Sequence, residues 1–202
     1  MDTPTSHPAS FVFPGSLSLE LMLTGGPGPY ERYEIAHTPS GLAEWFTGSR
    51  LALTAPLTDV RIRPAELAAI KELRDTFYRV APALARGEAP SDDDLALLNS
   101  ATAATPRPLA DPKTRKLAWA PPVTGKQLLG AVARDAIGLV AGERSGRVRE
   151  CSADDCYLLF FDTSRSGNRR WYSMERCGNR AKIRAYRAHR NRLIARIPGD
   201  AR

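Results

Sequence analysis

A chain of 202 residues, 43% hydrophobic and 25% charged, has the composition of a globular protein, long enough for one core or for a core with a small appended module. No apolar run approaches the roughly 20 residues of a membrane span. Met1 to Ser10 lacks a basic segment followed by an apolar one, which predicts a protein without a signal peptide that works in the cytoplasm, away from membranes. The formal charge of +7 is uneven: Glu143 to Arg202 carries 15 Lys and Arg against 7 Asp and Glu, a net +8, and the first 142 residues carry a net −1. A neutral body with a cationic end points to a polyanionic partner for that end.

Phe11 to Leu23 alternates apolar with small or polar residues, which predicts a strand or a strand-to-helix transition, ended by Gly25-Gly-Pro-Gly-Pro29. Thr38 to Phe46 predicts a short helix, with Thr38 as cap, Pro39 at the first helical position, and Leu42, Trp45 and Phe46 on its buried face. From Pro64 to Arg86, Leu67, Ile70, Leu73, Phe77, Val80 and Leu84 recur at spacings of three and four. That is an amphipathic helix, which Pro82 would kink or end. Gly87 to Pro90 is a linker. Ser91 then caps a further helix with Asp92 to Asp94 in its first turn, and Leu95, Leu97 and Leu98 form its core side. Ala104 to Lys113 reads as a break and Thr114 to Ala120 as a strand carrying Trp119. Helical spacing returns from Gly125 to Gly142, and Glu143 to Gly146 joins this body to a C-terminal module.

All three cysteines fall in that module. Cys151 and Cys156 bracket the turn-forming Ser-Ala-Asp-Asp, which lets the chain double back and present two thiolates to one ion, and Cys177 follows 21 residues later. In a cytoplasmic protein such a cluster reads as thiolates on a metal, not as a disulfide with one thiol left over. Tyr157 to Phe161 predicts a buried strand, Arg165 to Asn168 a turn, and Arg169 to Tyr172 a returning strand, with a helix after Cys177. His189 lies twelve residues beyond Cys177, about 18 Å along a continuous helix, too far to share its ion. A water, Asp162 or His37 are the other fourth ligands; without any ion, Trp171 and Phe161 would have to supply the module's core. No His or Glu stands at a spacing that would serve as a base, so the chain reads as a non-enzyme.

Cys151-x4-Cys156, Phe161-Asp-Thr-Ser-Arg165, Arg170-Trp171, Ser173-Met174 and Cys177-Gly178-Asn179-Arg180 together resemble the CGNR zinc-finger family of bacteria. The resemblance implies an α+β chain. Its first part, residues 11–142, would be a mainly helical ABATE-like domain with a few strands, and its second, residues 147–196, a small treble-clef-like finger of knuckle, β-hairpin and helix. It also implies zinc on Cys151, Cys156 and Cys177. The family's usual fourth ligand is a cysteine five residues before the last one, and here that position is Tyr172.

Arg165, Arg169, Arg170, Arg176, Arg180, Lys182, Arg184, Arg187 and Arg190 are the candidate nucleic-acid contacts, continued by Arg192 and Arg196, with Ile183, Tyr186 and Leu193 or Ile194 left to pack. Arginine at this density suits phosphates, which position a protein on a duplex without reading its sequence. Backbone N–H groups of Cys177-Gly178-Asn179 could meet a phosphate; a tight turn, with Arg180 paired to Asp162, is the plainer alternative. The leading expectation is a DNA-binding transcriptional regulator whose body senses a small molecule or forms a homodimer. The alternative is a non-enzymatic scaffold that binds RNA or an acidic protein and has a small-molecule pocket in its body.

Overall fold

The computed structural model describes residues 14–154 and 156–194, with side chains as far as residue 188 and at residue 190. The outer ends of both expected parts, residues 11 and 196, and the side chains of His189, Arg192, Leu193, Ile194 and Arg196 lie outside the described residues. The architecture is α+β and mainly helical.

Two long helices form its centre, α4 (Pro64–Arg86) and α6 (Gly125–Val140). Ile70, Leu73, Phe77 and Val80 of α4 and Leu128, Val132, Ala136 and Leu139 of α6 are all 2% exposed or less and belong to one core. Local chemistry sets their ends. At α4, Pro64 begins the helix, Glu66 reaches back to the Arg63 N–H, and Gly87 closes it in the left-handed region at φ 75°. At α6, the Gln127 carboxamide accepts from the Thr124 N–H and the Thr124 hydroxyl accepts from the Gln127 N–H. Of the two outcomes expected at Pro82, a kink or an end, the structure excludes the end: α4 runs on to Arg86, with Ala81 and Ala83 on either side buried, and their packing holds the helix across the missing N–H. Gly130 marks the closest approach in the body, since a Cβ there would lie 1.7 Å from the Ala104 carbonyl oxygen.

Around this pair sit α1 (Leu17–Leu21), α2 (Pro39–Thr47), α3 (Arg50–Thr54) and α5 (Asp92–Ser100). For the first, the sequence predicts a strand or a strand-to-helix transition; Leu17 to Leu21 are a helix, not a strand, continued by a 3-10 turn over Met22–Thr24. All five residues of α1, Ser18 and Glu20 included, are buried, so no exposed polar face marks its period; residues 11–13 of that stretch lie outside the described residues. The α2 expectation holds, with Gly41 N–H donating to the Thr38 hydroxyl and Leu42, Trp45 and Phe46 buried. So does the Ser91 cap of α5, with Leu98 buried and Leu95 and Leu97 half-buried.

Short strands finish the body. β1 (Val60–Arg61) pairs in parallel with β4 (Val123–Thr124). β2 (Pro108–Ala110) pairs antiparallel with β3 (Leu117–Trp119), so the expected break contains a strand, and the Asp111 carboxylate turns the hairpin by accepting from the N–H groups of Lys113 and Thr114. Among the described residues, no helix is long and apolar enough to cross a membrane.

The cysteine-containing part begins with β5 (Val148–Glu150), paired antiparallel with β6 (Leu159–Phe161). The expected partner, Arg169 to Tyr172, forms no strand. Its N–H at Arg169 is diverted to the Asp162 carboxylate, and its Arg170 carbonyl accepts from Ser152. The β5–β6 hairpin is docked on the body: Val148 is fully buried in the main core, Leu159 and Phe161 pack against that core, and the Phe161 N–H donates to the Pro14 carbonyl.

Candidate metal centre and cationic helix

The knuckle is the loop of the β5–β6 hairpin. Cys151 leaves β5 with its N–H donating to the Leu158 carbonyl at 3.0 Å, and Cys156 turns back with its N–H on the Ala153 carbonyl at 3.0 Å. Cys177 comes from the other side, on a π-type turn over Met174–Gly178 that opens α7 (Asn179–Ile194). Ser173 holds this turn: its hydroxyl accepts from the Arg176 N–H, and its carbonyl accepts from Cys177 and Gly178. The three Sγ atoms lie within 4.8 Å of one another, all three residues are buried, and none is in a disulfide. Sulfurs around a tetrahedral zinc, with Zn–S about 2.3 Å, are about 3.8 Å apart. Small side-chain rotations would therefore bring these donors onto one ion.

Burial pushes the Cys156 thiol up to about 12, with the neighbouring Cys151 and Cys177 adding to the rise. At Cys177 burial acts in the same direction but is outweighed, and the thiol is held below its ordinary value by hydrogen bonds from the Ser173 backbone, the two other cysteines and Arg180. Buried thiols this close share protons, and a metal would take the place of those protons.

Tyr172 stands where the fourth cysteine would be. Its N–H donates to Cys151 Sγ at 3.3 Å, so its backbone borders the sulfurs, while its ring packs edge-to-face on Phe160 at 6.5 Å. Burial, and the charge of Cys156 after it, holds its phenol well above the ordinary value. Among the described residues no His, Asp or Glu joins the three cysteines. Asp162 is fully buried but otherwise engaged, with one carboxylate oxygen on the Ser164 N–H and the other on the Arg169 N–H. Burial alone would raise its carboxyl; the bonds from Ser164 and Arg169 outweigh that and hold it below the ordinary value. It closes a turn, as its sequence suggests, but does not pair with Arg180, whose Nε donates to the Arg176 carbonyl. His37 is exposed on the body. The donors among the described residues thus fit a soft metal by three thiolates and fall one short of the closed four-ligand site of a structural zinc.

The cationic residues divide into two groups. Arg169 is half-buried and works inside: it donates to the carbonyls of Trp171 and Tyr172 and lies over the Phe160 ring at 4.5 Å. Arg165, Arg170, Arg176, Arg180, Lys182, Arg184, Arg187 and Arg190 are exposed. Arg184 also bridges to Asp154 at 3.1 Å across a shallow groove of about 310 Å³ that α7 forms with Ala153 and Trp171. Ile183 and Tyr186, expected to pack, are 51% and 67% exposed, so α7 stands out from the module with most of its circumference in solvent. The N–H groups of Cys177, Gly178 and Asn179 do not point at solvent for a phosphate, because all three donate back into the π-type turn.

Sequence reasoning missed two anchors. Arg147 donates to the Ser164 carbonyl at 2.7 Å and Arg144 to Asp135 at 2.9 Å, while Asp135 also accepts from the hydroxyls of Ser16 and Ser18. Arg144 lies over the Phe161 ring as well, so this cluster ties α1, α6 and β6 together. No local pattern reveals the Asp135 contacts to Ser16 and Ser18, which join positions more than a hundred residues apart.

A helical body carrying a hairpin knuckle, three converging thiols and an outstanding basic helix defines a protein with a finger-like module. Comparison with family models makes this specific. Residues 15–143 match the ABATE family, described as a putative stress-induced transcription regulator, and residues 147–190 match the CGNR zinc finger. The chain belongs to the ABATE family and carries a CGNR zinc finger at its C-terminal side. No curated protein matches it.

Proposed function

We propose that this protein is a DNA-binding transcriptional regulator in which residues 147–196 form the finger that docks on duplex DNA and residues 11–142 form the sensing or dimerising body, acting in the cytoplasm. The observation that carries this reading is α7: an outstanding helix whose Arg180, Lys182, Arg184, Arg187 and Arg190 are exposed around it, preceded by exposed Arg165, Arg170 and Arg176. Such a surface contacts phosphates and releases counterions, so binding must weaken steeply with salt. Cys151, Cys156 and Cys177 would hold the metal of the finger, zinc being the ion its family name implies. A groove of about 360 Å³ between Pro56, Leu109, Leu117, Trp119 and Pro121 supports a small-molecule role for the body.

The test is titration of a mixed-sequence duplex at several salt concentrations. A negative log–log slope is expected, becoming shallower by about 0.9 for each phosphate contact removed by an Arg→Ala change in α7. Affinity that ignores salt would refute the reading, and preference for single-stranded RNA over duplex DNA would replace it with the RNA-binding alternative.

A further inference from the structure

We infer that the three-cysteine site selects a thiophilic ion that is complete with three sulfur ligands, the chemistry of copper(I) and of trivalent arsenic, over the four-coordinate zinc of its finger family. The inference rests on reading Cys151, Cys156 and Cys177 as a metal site, and does not depend on nucleic-acid binding.

Three observations carry it. The donor set is soft throughout, with three Sγ atoms within 4.8 Å and no imidazole or carboxylate among the described residues that joins them. Soft thiolates select copper(I) or zinc, and zinc in a closed site requires a fourth donor. Trivalent arsenic forms three bonds to sulfur and keeps a lone pair where a fourth ligand would be; copper(I) is satisfied by a trigonal set. Neither needs a fourth donor beyond the three thiols found among the described residues.

The surroundings also leave the fourth position poorly supplied. The cysteines are 6%, 8% and 2% exposed. Residue 172 borders them through its N–H on Cys151, but turns a phenol ring onto Phe160 instead of a thiol onto the ion.

Third, the module is held by contacts other than an ion: Val148 belongs to the body's core, Leu159 and Phe161 pack against it, Asp162 fixes the loop to Arg169, and Phe160, Tyr172, Ala153 and Trp171 fill the interior beside the thiols. A site so supported can be loaded and emptied, as reversible capture of such an ion requires. With arsenite the exchange balances without redox: three thiol S–H bonds and three As–O bonds break, three As–S bonds form, and three waters leave.

The test uses the full chain, reduced and stripped of metal, with buffered zinc, buffered copper(I) and arsenite as separate probes. Stoichiometry is read by mass, affinity by competition with chromogenic chelators, and site occupancy by protection of the cysteines from alkylation. Expected are one arsenic or copper(I) per chain, protection of all three cysteines, and at least a tenfold loss of affinity in each single Cys→Ser variant. Y172C should raise zinc affinity at least tenfold and leave the three-coordinate ions within about threefold, whereas Y172F should change zinc affinity little. Helical circular dichroism of the unloaded protein shows that each variant is folded, and loading of the parent chain alone tests the inference if one is not. Protection by only one of the two ions assigns the ion. Parent zinc affinity equal to that of Y172C, or a loss of zinc in Y172F, would overturn the inference by revealing a fourth donor. Binding of none of the three ions would overturn the metal reading itself.

Discussion

The space between α4 and α6 is filled by Ile70, Leu73, Phe77, Leu128, Val132 and Leu139, whereas the interior of the finger is filled by three thiols, a phenol and Phe160, bounded by an indole. The first core is held by volume and shape, so any side chain of the right size would serve it. The second is held by particular atoms: sulfurs that must converge, a carboxylate that must accept two N–H groups, a guanidinium that must reach two carbonyls. Damage to the body should therefore scale with the volume removed, and damage to the finger with the chemistry changed.

The strongest challenge to this contrast is Phe77→Ala. Phe77 is 1% exposed at the centre of the body, and its truncation should lower stability by about 3–5 kcal/mol, read by urea unfolding. A loss under about 1 kcal/mol would mean that the body is loosely packed there. Gly130→Ala probes the same core from the opposite side. The added methyl would meet the Ala104 carbonyl, a backbone atom that cannot rotate away. A loss of about 1–3 kcal/mol is expected, with the folded protein still able to load its cysteines.

In the finger, Asp162→Asn changes chemistry at constant volume. One of the two accepting oxygens becomes an NH2 group, a donor that faces a backbone N–H, and the buried charge is lost, so about 1–3 kcal/mol should go. The pH dependence gives the sign. The Asp162 carboxyl lies below its ordinary value in the folded chain, so it adds stability above the ordinary carboxylate value of about 3.9 and loses it as pH falls through the lower folded value. The Asn variant should lack this part of the acid sensitivity. Equal acid profiles would show that Asp162 is not what holds the loop.

The same contrast explains what the sequence makes legible. A long helix with one buried face repeats its signal many times, and α4 and α6 can be read from their periodicity. In α1 the polar Ser18 and Glu20 are buried along with Leu17, Leu19 and Leu21, so the alternation of the sequence imitates a strand. The pairing of β1 with β4 involves two residues on each side, too few for any period. In the finger, Cys151, Cys156 and Cys177 are conspicuous because the chain has no other cysteines. The partner of β6 is not, because Val148-Arg-Glu150 has little strand character and Arg169 to Tyr172 has more. What decides between them is the burial of Val148 in the body and the capture of the Arg169 N–H by Asp162, both of which exist only once the chain is folded. Arg169 is misread for the same reason: as a sequence character it is one more cation, and only the nearby carbonyls and the Phe160 ring turn it inward.

The smallest effect on stability, and the sharpest separation of fold from function, is expected of Arg187→Ala combined with Arg190→Ala. Both side chains are exposed on a helix whose outer surface supports no core, so unfolding should change by no more than about 0.5 kcal/mol. If they contact phosphates, duplex affinity falls and the salt slope becomes shallower by about 1.8, the contribution of two lost contacts. Unchanged affinity with unchanged stability would move the nucleic-acid surface off this part of α7 and onto Arg165 and Arg170 beside the knuckle. Lost stability would instead mean that α7 packs on something, and the comparison between a volume-filled body and a finger with an outstanding helix would have to be redrawn.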